Sequence, residues 1–408
     1  MALIQNRTSL RCISCDADTV KTVLDFGAQP PSNRFFRAGE PQNQNHALAL
    51  GQCVKCGLVQ LVDPMPAEMV RSRYEWITYN EPEGHLDQMV EDLIATTGLG
   101  TDARVVGLSY KDDTTLARFS RKGYANTYRY SIDQDLDVAE PLAGLETIQS
   151  AMTLERAELL ARQHGRADLL LVRHVLEHAH APKDFLAALA RLVKPTGCMV
   201  FEMPESTKFL AASDYSFVWE EHIAYFTAQT VSRLIHNARL DPWVLKSYVY
   251  PLEDSLVALV RPVPAAAPAD VPTAQELGLG LGYGQHFDEI RKRIRSDLLR
   301  LKSEGKKVAV FGAGHLAAKF LNLFELKDLV CCVIDDNANK LGMLMPGSGV
   351  PVRPSSVLID EKIDLCLLSL SPESEKKVVA AKKAYTDQGG RFLSIFALSP
   401  IAYLAEAR

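Results

Sequence analysis

No apolar run in this 408-residue chain approaches the roughly 20 residues that cross a bilayer. The longest, such as Leu169–Val172, fall far short. Basic runs are missing as well. Lys and Arg number 45 against 50 Asp and Glu, a formal net charge of -5, and no basic stretch offers a footprint for nucleic acid. The opening residues, MALIQNRTSLRC, lack the apolar core of an export signal, which points to the cytoplasm. Without export the eight cysteines meet no oxidising compartment, so metal binding is favoured over disulfides. Neither a membrane nor a nucleic acid is an expected partner, and no short-period repeat is present.

What is present suits a soluble α/β chain of two or three domains. Hydrophobic residues make up 47% and charged residues 23%, enough to build more than one core. Cys12-Ile-Ser-Cys15 and Cys53-Val-Lys-Cys56 are two tight knuckles whose four sulfurs make the closed tetrahedral set of a structural zinc. They fall in a turn-rich stretch, residues 1–70, with β-prone runs at Val20–Leu24 and Leu58–Val62. A unit this small benefits from a metal staple. Cys198, Cys331, Cys332 and Cys366 fall in predicted strands and are expected to be buried.

Residues 71–262 alternate strands with helices, which predicts a mostly parallel, two-sided sheet. The expected strands are Arg104–Leu108, Asp168–Val172 and Cys198–Glu202. The expected helices are His85–Thr97, Leu154–His164 and Pro182–Val193, with Val193–Gly197 as a helix stop and turn. Ligands of open α/β sheets bind beyond the carboxyl ends of strands. Arg173, His174, Glu177 and His178, directly after the second strand, are therefore candidates. Trp219-Glu-Glu-His-Ile-Ala-Tyr-Phe-Thr227 adds a carboxylate–imidazole pair among aromatics, a composition suited to acid/base work. A solvated surface pair is the plainer reading of that dipeptide alone.

Residues 261–276 are rich in Pro and Ala and read as a linker. An amphipathic helix is expected over Phe287–Glu304, and then a second α/β unit within 277–408. Its first strand, Val308–Phe311, runs into a GxGxxA turn at Gly312 and Gly314, followed by His315. Further strands are expected at Leu329–Ile334 and Leu365–Leu368. Asp335 and Asp336 stand where a ribose-binding acid would follow, so pattern alone reads as a dinucleotide fingerprint. An NAD(P)-dependent nucleotide-sugar oxidoreductase or epimerase is one function this turn could serve.

Four features in this order resemble the nucleotide-sugar C-methyltransferases, which modify deoxysugars carried on nucleotides. They are the paired CxxC knuckles, Val175-Leu-Glu-His178, Trp219-Glu-Glu-His-Ile-Ala-Tyr-Phe-Thr227, and Val310-Phe-Gly-Ala-Gly314 with Ile334-Asp-Asp-Asn337. The resemblance implies an α/β fold in three parts. A zinc-binding module leads, a class I methyltransferase-like domain is central, and a Rossmann-like domain is C-terminal. It implies S-adenosylmethionine (SAM) in the central domain, a nucleotide ketosugar against the C-terminal one, and zinc as structural metal. His222 would remove the proton beside the ketone with Glu221 as its partner, and the enolate would take the SAM methyl. A tyrosine also lines such sites, and Tyr79 is the candidate ahead of Tyr74. Gly312, Gly314, His315 and Asp335 would contact the sugar nucleotide.

The chain departs from that family at the cofactor loop. The family places an acidic residue and a glycine-rich turn after the first central strand. Here the run is Val105-Val-Gly-Leu-Ser-Tyr-Lys-Asp-Asp113, and only Gly107 remains, inside the strand. The second strand carries Arg129 and Tyr130 where a ribose-binding acid is expected. Candidate cofactor contacts are then Gly107, Ser109, Asp112, Arg129, Arg173 and His174. A relative that keeps the sugar-nucleotide pocket and has lost SAM is the other reading of this departure.

Overall fold

The computed structural model describes residues 10–41, 44–77, 81–265 and 271–406. Three sheets organise them. The first holds β1 (Val20–Gln29), β2 (His46–Cys53), β3 (Val59–Leu61) and, from far along the chain, β8 (Ala224–Tyr225). All its pairings are antiparallel. The second is formed by β4 (Val105–Gly107), β5 (Thr127–Arg129), β6 (Ala167–Arg173), β7 (Val193–Glu205), β9 (Asp241–Tyr248) and β10 (Asp254–Arg261), in the order β5-β4-β6-β7-β10-β9. Its first four strands are parallel and the β9–β10 hairpin closes one edge antiparallel. The third is wholly parallel: β11 (Val308–Phe311), β12 (Cys332–Ile334), β13 (Val352–Arg353), β14 (Leu365–Leu368) and β15 (Arg391–Ser394), in the order β13-β12-β11-β14-β15.

The period-2 geometry of a strand explains the long apolar run of β6. Leu169 and Leu171 face helices Leu86–Thr97 and Asp113–Arg121, while Leu170 and Val172 face helices Leu154–His164 and Pro182–Arg191. Both faces are covered, so all four side chains are fully buried. Chain order reverses between β4 and β6, and again between β11 and β14, so each parallel region has a crevice at its carboxyl edge.

Three expectations change. Val193–Gly197 is no turn: helix Pro182–Arg191 ends and the chain enters β7 at once, with a register shift against β6 absorbing Pro195 and Gly197. The helix expected to begin at Phe287 begins at Ala274, behind a Thr273–Glu276 capping box, and runs 30 residues. Its extra turns contain four glycines, which argue against a helix on propensity. Packing decides otherwise. A Cβ on Gly284 would lie 1.9 Å from the Val23 carbonyl oxygen, and one on Gly280 2.7 Å from Gln52. The helix lies on β1 and β2 because those positions have no side chain. Finally, Cys331 is exposed just ahead of β12, whereas Cys198, Cys332 and Cys366 are buried.

The same helix joins the parts. Tyr283 and Phe287 pack with Leu24 of β1, while Ile294 and Leu298 share a core with Val308 and Val310 of β11. Among the described residues no helix is long and apolar enough to cross a membrane.

Candidate active site

The two knuckles close on one another. Cys12 Sγ is 3.5 Å from Cys56 Sγ and Cys15 Sγ 3.6 Å from Cys53 Sγ, and all four sulfurs lie within 4.8 Å. Zinc–sulfur bonds of about 2.3 Å set tetrahedral sulfurs about 3.8 Å apart, so this cage needs almost no adjustment to hold zinc. Among the described residues no fifth donor joins the cluster, a closed set that suits a structural metal.

The segment between Ser213 and Thr227 crosses the junction of the sheets and is pinned at several points. Tyr225 Oη donates to the Trp219 carbonyl and accepts from the Trp219 amide, both at 3.0 Å. Ile223 N donates to the Glu177 carbonyl at 2.7 Å. Glu220 is fully buried in an ion pair with Lys319 and accepts from the Ser32 amide and hydroxyl. Its neighbours Trp219, Glu221 and His222 are thereby held at the crevices. The rings run His178, His222, Trp219, His315 across the junction. Their centroid separations are 4.9, 4.9 and 4.5 Å, with Trp219 stacked on His315 at 20°.

Two clefts meet at this row. One, of about 790 Å³, lies against the central sheet and is lined by Tyr110, Lys111, Glu146, Arg173, Glu177 and Glu221 among others. The second, of about 800 Å³, reaches the third sheet at Ala313, Gly314 and His315, with Asn337, Lys340, Ser371 and Lys376. His174, Trp219 and His222 line both. Glu81 lines both too, 3.4 Å from the Lys111 ammonium.

Electrostatics split the histidines. Burial drives His222 down to about 3, with His315, His174 and Lys111 adding to the fall and Glu81 opposing it. His222 is a neutral imidazole at ordinary pH. Burial also works against a charge on His174, but Glu81, Glu177 and Glu202 outweigh it and raise it to about 10. His174 also has a left-handed backbone, φ 53°, a strain common at working sites. Glu81 is held at about 2 against burial, chiefly by His174 and Lys111. Glu221 is pushed well above the carboxylate range by burial and by repulsion from Glu220 and Glu146. Its Oε1 accepts from Asn33 at 3.2 Å, and among the described residues no hydrogen bond or ion pair joins it to His222.

The other candidates fall into place as follows. Gly107 ends β4, and a Cβ there would meet Asp112 at 2.8 Å. Ser109 caps the short turn Tyr110–Asp112. The buried Asp112 carboxylate accepts from the amides of Ser109 at 2.8 Å and Arg173 at 3.1 Å. Arg173 is 1% exposed, ion-paired with Glu202, and donates to the Lys111 carbonyl. Arg129 pairs with Asp113 at 2.8 Å. In the third sheet Gly312 has φ 103°, and Gly314 precedes helix His315–Leu323 with no side-chain cap. Asp335 stands behind the cleft wall, accepting from Ala313 N, Asn337 N and Lys340 Nζ at 2.9–3.0 Å. Tyr79 lies outside the described residues, while Tyr74 lines the central cleft. Sequence reasoning missed Glu81, Lys111 and Glu146. Only the acidic Glu81-Pro-Glu83 run hinted at the first of them.

Known proteins match this arrangement part by part. Residues 12–70 match a zinc binding domain family, residues 59–243 a methyltransferase domain, and residues 274–397 the C-methyltransferase C-terminal domain. The three matches follow one another along the chain in the order zinc binding, methyltransferase and C-methyltransferase C-terminal domain, and together they span most of it. It is 23% identical over 407 residues to the C-methyltransferase NovU of Streptomyces niveus, covering 94% of each chain. Solved structures similar to the methyltransferase include a Burkholderia thailandensis 1,6-didemethyltoxoflavin-N1-methyltransferase bound to its didemethyltoxoflavin and S-adenosylhomocysteine. That likeness is 18% identical, covers 44% of this chain and 79% of the other, and has a TM-score of 0.31. A Clostridium acetobutylicum S-adenosylmethionine-dependent methyltransferase is similar at 10% identity over 46% of this chain and 94% of the other, also with a TM-score of 0.31. Cys12, Cys15, Cys53 and Cys56, a cluster able to hold a metal ion, all lie within the stretch that matches the zinc binding domain family.

Proposed function

We propose that the enzyme uses SAM to methylate a carbon beside the ketone of a nucleotide-linked deoxysugar, with His222 as the base. The observation that carries this is that His222 lines both clefts, so a substrate in one and a cofactor in the other would meet at its ring. Bound in the central cleft, SAM supplies an electrophilic methyl group. That cleft offers Glu75, Glu81, Glu83, Glu146 and Glu177, with Glu221 besides, against Lys111, Arg173 and His174, a net negative lining that suits a sulfonium and an ammonium. A cation bound there would also return Glu221 to its ionised form. The nucleotide diphosphate would take the uncapped amides of helix His315–Leu323, with Lys340 and Lys376 nearby.

The chain's own chemistry is a proton transfer. Neutral His222 accepts the proton from carbon, and the charged His174 ring stabilises the oxyanion that forms. Two histidines held neutral and charged at one pH divide the base and electrophile roles. The test is wash-in of solvent deuterium beside the ketone of a nucleotide 4-ketosugar, with turnover measured in parallel. His222→Ala should abolish wash-in and lower kcat by about 10²- to 10⁴-fold, while calorimetric SAM affinity is retained. Turnover should persist from neutral pH until near 10, where His174 gives up its proton, and His174→Gln should lose that alkaline limb. Undiminished wash-in in His222→Ala would remove the base from this scheme.

A further inference from the structure

Glu177, His178 and His222 offer one ligand atom each, all within 4.8 Å of one another. None of them belongs to the cysteine cage. Glu177 is 2% exposed and His178 3%, yet both Glu177 carboxylate oxygens and His178 Nδ1 have no hydrogen-bond partner. The nearest cation to Glu177, His174 Nδ1, is 3.4 Å away without hydrogen-bond geometry. Polar atoms buried without a hydrogen bond are costly, so three of them on one cleft wall point to a ligand that would satisfy them. His178 Nδ1 is thus a buried nitrogen without a hydrogen bond, beside the Glu177 carboxylate and with its ring 4.9 Å from that of His222. Two imidazoles and one carboxylate suit zinc or another late divalent transition metal and leave coordination positions open toward the cleft.

We infer that Glu177, His178 and His222 form a second divalent-metal site, separate from the four-cysteine zinc, and that a metal bound there takes His222 out of use as a base. Metal binding stands on the three side chains alone; the loss of turnover rests on His222 being the base. The metal forms a coordinate bond to the nitrogen lone pair that would otherwise accept the substrate proton, so zinc and proton transfer exclude one another.

The test titrates Co²⁺ into the full-length enzyme already carrying zinc at its cysteines. Expected is one further saturable equivalent with weak visible bands and no thiolate charge-transfer band in the near ultraviolet. Glu177→Gln and His178→Asn should each weaken it more than about tenfold, since even outer-shell partners are worth that much. Glu146→Gln, in the same cleft but outside the trio, should leave it unchanged. Added Zn²⁺ should stop turnover in step with occupancy, and a chelator too weak to strip the cysteine cage should restore it. Absence of the extra equivalent, its survival in both ligand variants, or a thiolate band on binding would overturn the site. Binding without loss of turnover would leave the site standing but separate it from the base, a result distinct from failure of His222→Ala.

Discussion

The enzyme contains the same device twice, a parallel strand running through a turn into a helix at a point where chain order reverses, and the two copies are finished differently. After β11 the turn is Gly312-Ala-Gly314, and the helix that follows starts on the cleft wall with no side-chain cap. After β4 the turn is Leu108-Ser-Tyr-Lys-Asp112, and it spends its polar groups on itself. Ser109 Oγ accepts from Lys111 N, and Asp112 accepts from Ser109 N and, across the crevice, Arg173 N. The helix after the open turn begins without a side-chain cap, whereas Ser109, Lys111 and Asp112 of the closed turn donate their amides within the turn itself. On the proposed reading, recognition in the central cleft falls to side chains, with carboxylates set toward a cationic cofactor, while the other cleft offers a helix N-terminus to a phosphate. The comparison also bears on the oxidoreductase reading of the β11 turn. Asp335, placed to bind a ribose, already accepts from the Ala313 and Asn337 amides and from Lys340.

The largest effect should come from opening the closed turn. Asp112→Ala strands two buried amides at about 1–3 kcal/mol each. We expect a loss of roughly 2–6 kcal/mol in chemical denaturation of the zinc-loaded protein. Asp112→Asn keeps one acceptor oxygen and should recover about half. If Asp112→Ala were as stable as the parent, the turn would not depend on its own side chains and the contrast would fail.

Next comes the open turn, where two glycines separate stability from binding. A Cβ on Gly312 would stand 2.6 Å from Leu370 Cδ2 at φ 103°. Gly312→Ala should therefore cost roughly 1–3 kcal/mol of strain. A Cβ on Gly314 meets nothing within 4 Å, because the space beyond it is the cleft. Gly314→Ala should melt with the parent yet bind nucleoside diphosphate more weakly by calorimetry. Equal affinity in Gly314→Ala would mean that the phosphate lies elsewhere.

The two turns were not equally legible. Gly312-Ala-Gly314 announces itself, because an open turn needs residues without side chains and that need is local. The zinc cage is legible for the same reason, as each knuckle is complete within four residues. The closed turn showed only as missing glycines, because its partners are distant: Asp112 meets Arg173, and Lys111 meets Glu81, only after β4 and β6 have paired. Distance also hid the fourth strand of the first sheet, where Ala224–Tyr225 joins Val59–Gln60. The helix over Ala274–Phe287 was concealed by its glycines, whose purpose is visible only against β1 and β2. What the sequence conveys well is chemistry held within one turn of chain. Chemistry made by packing two distant segments stays silent until the sheets are assembled.

The smallest effect tests how far the closed turn's influence reaches. Arg129 ends β5, where a ribose-binding acid would stand in an open cofactor site, and it pairs with Asp113 at 2.8 Å. Their side chains are 37% and 52% exposed, so water screens the pair and its worth is about 0.2–1 kcal/mol. Arg129 is also not among the residues lining the central cleft. Arg129→Ala should thus shift the melting temperature barely at all and leave calorimetric SAM affinity intact. A marked loss of affinity would mean that the adenosine end of the cofactor extends past the cleft and over β5, and that the closed turn still shares in cofactor recognition from its far side.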